Sequence, residues 1–118
     1  MQLRKEMKIM KEKTVYLKAT VDTGATAFAC EHLRMFPLEK LIQVTVIPMK
    51  YDAIEVSFLF ETQPDFCYQI DVLNAFCVGY RGEGPWGLHD LMIEAGFPEE
   101  TASKVFVISR YDKTVLKK

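Results

Sequence analysis

Few residues in this chain have types and spacings suited to chemistry, and the densest group is FCVGYRGEGPWGLHDLM at 76–92. Gly82-Glu83-Gly84-Pro85-Trp86-Gly87 satisfies G-x-G-x-x-G, follows an apolar run and opens a helical pattern. The unpaired N–H groups of such a helix start would point at whatever occupies the loop. Glycine lets the backbone approach a phosphate, Arg81 would add a charge-assisted hydrogen bond, and Tyr80 or Trp86 would stack on a base. The candidate ligand-binding residues are therefore Gly79, Tyr80, Arg81, Gly82, Gly84, Trp86 and Gly87, joined by Arg110 from the end of the last apolar run. The same residues also suit a tight turn, with Pro85 setting the first helical turn and Glu83 meeting the helix dipole. Four glycines within nine residues are more than a plain strand-to-helix turn needs. A doubly wound dinucleotide fold is not expected, because one strand pattern follows the helix and no acidic residue sits at the ribose-binding spacing.

GYRGEGPWGLHDLM at 79–92 resembles the G-Y-G-G-S-G-P plus helix segment of small uncharacterised proteins of bacteria and their phages. Arg81 and Glu83 stand where that pattern has small residues. The resemblance implies a phage or bacterial setting and no particular activity; the sequestering of a nucleotide signal used in host defence is a role that would suit such a setting.

ATVDTGATAF at 19–28 is similar to the active-site segment of retroviral-type aspartic peptidases. The resemblance implies Asp22 as catalytic residue, Thr23 as brace of the loop and Gly24 as its close-approach glycine. That chemistry needs two carboxylates sharing a proton, so one motif per chain implies a homodimer. It also implies a flap hairpin and a supporting strand at Cys77-Val78-Gly79, although the supposed flap tip PMKYDA lacks glycine. A structural Asp-Thr-Gly turn fits the same residues.

The remaining polar residues form no metal-ligating or nucleophilic pattern. Cys30 and His32 would point to different faces of a helix, and two ligands do not hold a metal. His32 and His89 fall near apolar helical positions and read as satisfied edge or core histidines. Arg34, Arg110 and Lys113 either join Arg81 around an anion or solvate the surface. No metal and no cofactor is expected.

The elements that must position these residues follow from periodicity. Val15, Leu17, Ala19 and Val21 alternate as in a half-buried strand, and TAFACEHLRMF carries Phe28, His32, Met35 and Phe36 at helical spacing before Pro37. From 42 to 61 the pattern predicts a hairpin turning near Lys50-Tyr51-Asp52, with Ile54, Val56, Phe58 and Phe60 on the apolar face. Residues 66–78 read as strand, with Pro64-Asp65 an equally legible helix start. Leu88, Leu91, Met92 and Ala95 predict a helix over 86–95 stopped by Gly96; PEETASK predicts one more turn, and VFVISRY a closing strand.

This order predicts an α+β fold with a mainly antiparallel sheet and one or two short helices, a single domain over 14–118 after a charged arm over 1–13. At 118 residues and 49% hydrophobic content, one core is affordable and two would be very small. Fifteen basic against sixteen acidic residues make nucleic acid an unlikely partner, and the charged start lacks the apolar stretch of a signal or membrane span. Three cysteines without a zinc-type doublet suit a reducing, cytoplasmic setting, while open sheet edges suit a homo-oligomer. The expected function is the binding of a phosphate-bearing or nucleotide-like ligand at the glycine loop. The alternatives are a homodimeric aspartic peptidase and a non-catalytic protein-interaction (inhibitor) module.

Overall fold

The computed structural model describes residues 13–16, 26–64 and 66–118. In Ile54–Gln63 (β3), Ile54, Val56, Phe58 and Phe60 lie on one side and are buried, as period-two spacing dictates on a pleated strand. The hairpin partner is Leu41–Pro48 (β2), which sets Val44 opposite Phe58 and Val46 opposite Val56. Between them Tyr51 and Asp52 turn the chain with left-handed φ values of 60° and 62°. Phe66–Leu73 (β4) pairs antiparallel with the other side of β3, placing Ile70 opposite Phe58 and Val72 opposite Val56. Thr114–Lys117 (β5) pairs antiparallel with β2, and Lys13–Tyr16 (β1) runs parallel to β4, so the described strands lie in the order β1-β4-β3-β2-β5. The fold is α+β with a mainly antiparallel sheet.

Thr26–Leu33 (α1), Glu83–Glu94 (α2) and the short Glu99–Ala102 (α3) complete the regular elements. Ala29 and Leu33 of α1 and Leu88, Leu91 and Met92 of α2 join the apolar sheet face in one buried cluster with Val44, Val56, Phe58 and Ile70. Each large side chain so buried contributes about 1.5–3 kcal/mol. Gly96, at φ 94°, ends α2: its N–H donates to the Ile93 carbonyl and the Phe97 N–H to that of Met92, the paired bonds of a left-handed helix stop. On the other sheet face Thr45, Glu55, Ser57 and Asp71 are buried beside Leu59. There Ser57 Oγ donates to Asp71 Oδ1 at 2.6 Å, and Gln69 Nε2 donates to the same oxygen at 2.8 Å.

Four expectations need correction. The first helix buries Thr26, Ala29, Cys30 and Leu33, while Phe28 and Met35 are exposed. Its small residues let α1 lie close to α2, and that contact outweighs the larger apolar side chains. The main helix begins at Glu83 and not at residue 86, because Pro85 is tolerated in a first turn whose N–H groups have no helical acceptor. The strand in 66–78 stops at Leu73, since Asn74 takes φ 64° and leaves the sheet. VFVISRY is no strand: Val105 and Phe106 are adjacent and both buried while Val107 is 80% exposed, which a tight 3₁₀ turn permits and a pleat does not. The last strand is TVLK instead. Residues 1–12 of the charged arm and residues 17–25, with Leu17, Ala19, Val21 and the Asp22-Thr23-Gly24 turn, lie outside the described residues.

Candidate functional site

After β4, the Asn74 N–H donates to the Ile54 carbonyl at 3.0 Å, and asparagine suits the left-handed turn made there. Phe76 then enters the core edge-on to Phe58, with ring centroids 5.7 Å apart. Thr26 Oγ1 donates to the Ala75 carbonyl at 2.7 Å and pins the start of α1 to this stretch. Gly79, at φ 89°, donates its N–H to the Val105 carbonyl at 2.8 Å. A Cβ at Gly79 would lie 2.9 Å from the Ile108 carbonyl oxygen. The glycine loop thus hangs between β4 and the turn after α3.

Gly82 is the extended residue before α2, and its carbonyl accepts the Trp86 N–H at 2.9 Å. No side chain caps this helix start, and Pro85 has no N–H. Three N–H groups remain, those of Gly82, Glu83 and Gly84, and none has an acceptor among the described residues. Gly84 is buried, and a Cβ there would lie 2.8 Å from the Cys77 nitrogen. Glu83 and Gly84 line a hollow of about 270 Å³, with Thr26, Asn74, Cys77 and Tyr80 among the rest of its wall. A second hollow of about 330 Å³ shares Thr26 and Glu83 and is otherwise lined by residues including Cys30, Arg34, Trp86 and Asp90.

The structure brings together only part of the expected set. Tyr80, Gly84 and, in the second hollow, Trp86 and Gly87 line the cavities. Burial and then the neighbouring Cys77 thiol raise the Tyr80 phenol above its ordinary pKa, with Arg110 acting in the opposite sense. The Gly79 N–H is used by the fold, and Gly82 supplies the carbonyl that starts the helix. Arg81 lies over the Phe106 ring at 4.7 Å and 5.8 Å from the Trp86 centroid, while Arg110 Nη2 donates to the Asp52 carbonyl at 2.7 Å. Neither arginine lines either hollow. Arg34 forms an exposed ion pair with Glu94 at 2.8 Å. The sequence reading missed Thr26, Asn74 and Cys77 as wall residues; an asparagine ending an apolar strand was the legible sign of a sharp turn there.

Two features bear on catalysis. His89 is buried beneath Trp86 and Phe106, with Nδ1 2.9 Å from Asp90 Oδ1 and Nε2 2.9 Å from Glu99 Oε2. Burial lowers the pKa of this imidazole, but the hydrogen bonds and charges of Asp90 and Glu99 outweigh it and leave the pKa raised. With both ring nitrogens engaged, His89 has no free lone pair for general-base work. His32, by contrast, is exposed on α1, its ring tilted against that of Phe28 with centroids 4.2 Å apart and Nδ1 2.9 Å from the Phe28 carbonyl. Asp22 lies outside the described residues. The hairpin that the peptidase resemblance casts as flap is paired on both outer sides, β2 with β5 and β3 with β4.

Among the described residues there is no cluster of three His, Cys, Asp or Glu side chains fit to hold a metal, and no helix long and apolar enough to cross a membrane. The chain matches no protein-family model, no curated protein and no solved structure.

Proposed function

We propose that the chain is a small-molecule-binding protein whose site is the hollow at the start of α2, taking a phosphate or similar anionic group of a nucleotide-like ligand without transforming it. The observation that carries this reading is the Gly84 N–H, a donor in a buried residue with no acceptor among the described residues. Such a group costs about 1–3 kcal/mol if left unsatisfied, so an acceptor from outside the chain is favoured there. The Glu83 N–H beside it and the positive end of a twelve-residue helix dipole act in the same direction. Size sets the ligand class. The hollow of about 270 Å³ admits a phosphoryl group with part of a sugar and is smaller than the pockets of about 300–1,000 Å³ that hold whole drug-sized ligands. A nucleotide would extend past Thr26 and Glu83 into the second hollow, where the half-exposed Trp86 offers an aromatic face.

On this reading the glycines serve close packing, Arg81 belongs to the aromatic cluster, and Glu83 restrains anion affinity by like-charge repulsion. Sequestering a nucleotide signal as a cytoplasmic homo-oligomer is compatible with the free thiols of Cys30 and Cys77, which a reducing compartment maintains. The test is a thermal-shift series with inorganic phosphate and linear and cyclic mononucleotides. A ligand present at 100 times its Kd adds about 2.7 kcal/mol of stability. Glu83→Gln is expected to tighten phosphate binding about 3- to 10-fold, or about 0.7–1.4 kcal/mol, and Trp86→Ala to weaken nucleotides while sparing phosphate. No shift across the whole panel, in wild type and Glu83→Gln alike, would remove the proposal.

A further inference from the structure

We propose that the segment from Glu99 to Phe106 is a proton-operated latch on the glycine loop, closed while His89 is an imidazolium and loosened when it becomes neutral. A neutral imidazole has one N–H, and a carboxylate only accepts; two carboxylates on one ring therefore require both nitrogens to donate. His89 meets Asp90 at 2.9 Å through Nδ1 and Glu99 at 2.9 Å through Nε2, so the observed arrangement is that of the charged ring. Asp90 is its neighbour on α2, but Glu99 belongs to α3, and that bond ties the two helices together.

The same segment holds the loop at two points. The Val105 carbonyl accepts the Gly79 N–H at 2.8 Å, and the Phe106 ring carries Arg81 at 4.7 Å. Phe106 also packs on Trp86 at 4.6 Å and on the His89 ring at 5.4 Å. Proton loss at His89 leaves one carboxylate without a donor inside this cluster; Asp90 sits on the same helix as the ring, so the bond whose loss separates two elements is the one to Glu99 of α3. Among the described residues the charged groups around the ring are few. Asp90 faces it from α2 and Glu99 from α3; the turn after α3 presents the Phe106 ring, and the loop presents Arg81 across that ring. Cys30 and Arg34 of α1 lie near Asp90.

The sign follows from linkage. The closed state holds the proton more tightly than an ordinary histidine, so closure is complete below the ordinary pKa of about 6.5 and fades as pH rises through the raised value. For one coupled proton, the opening equilibrium rises about tenfold per pH unit across that window and is flat on either side. The latch concerns the loop itself and holds whether or not an anion binds there.

The experiment is NMR on the intact chain from about pH 5.5 to about pH 9, following the His89 ring nitrogens and the protection factor of the Gly79 amide. Expected is a doubly protonated ring at the acid end and a Gly79 protection factor that falls about tenfold per unit through the His89 titration. Glu99→Gln, a change at a largely exposed side chain, shifts both the titration and the loss of protection to lower pH together. His89→Gln abolishes the pH dependence of protection. A Gly79 protection factor that stays constant while His89 titrates, or a His89 ring that is neutral at the acid end, overturns the proposal.

Discussion

Replacing Gly87 by alanine tests the contact on which both hollows depend. Gly87 sits in the middle of α2 against α1, and a Cβ built there overlaps Thr26 Cγ2. In an open helix interior the change would stabilise by up to about 1 kcal/mol through helix propensity. Here Thr26 is buried, and its Oγ1 donates to the Ala75 carbonyl at 2.7 Å. Keeping that bond forces the helices apart, an overpacking cost of about 1–3 kcal/mol; rotating the threonine away breaks a buried hydrogen bond at a similar cost. The net expectation is a loss of about 1–2 kcal/mol, read as a shift of about 4–8 °C in Tm or as a lower urea midpoint at unchanged slope. Thr26→Ser removes the overlapping methyl and keeps the hydroxyl. The double variant should therefore recover at least about 1 kcal/mol beyond additivity of the two single changes. A Gly87→Ala protein as stable as wild type, or a double variant that is merely additive, would refute this account of why glycine occupies the position.

Two further outcomes follow from the geometry. Gly79→Ala places a side chain at φ 89° and 2.9 Å from the Ile108 carbonyl, so it should cost about 1–3 kcal/mol by urea unfolding and expose the turn after α3 to faster hydrogen exchange. Stability within about 0.5 kcal/mol of wild type would show that the loop relaxes freely. Asp71→Ala leaves Ser57 Oγ and Gln69 Nε2 without their shared buried acceptor and should cost about 1–3 kcal/mol. Ser57→Ala/Asp71→Ala should cost less than the sum of the single changes, and strict additivity would argue against a shared network.

What could be read along the chain were the features carried by local pattern. The alternation at Ile54, Val56, Phe58 and Phe60 placed a strand face, the spacing of Leu88, Leu91, Met92 and Ala95 placed a helix face, and Gly96 marked its end. Pro85 and the glycines marked a strand-to-helix corner, and the α+β class followed from the order of these signals. Four other decisions were made by contacts between residues distant in sequence. The buried side of α1 was chosen by Gly87, fifty-seven positions from Cys30, whose thiol donates to the Gly87 carbonyl at 3.7 Å. Val105 and Phe106 turned inward together because Gly79 and Trp86 wait for them, which overrode a strand-like alternation. Arg81 and Arg110, plausible anion ligands by proximity in sequence, were drawn instead to an aromatic ring and to a hairpin carbonyl. His89 became a bridging ring because α3 folds back to present Glu99. Periodicity reports which face of an element is apolar, whereas the partner that covers the face, and hence the use made of each polar group beside it, is settled only when all the elements compete for the same core.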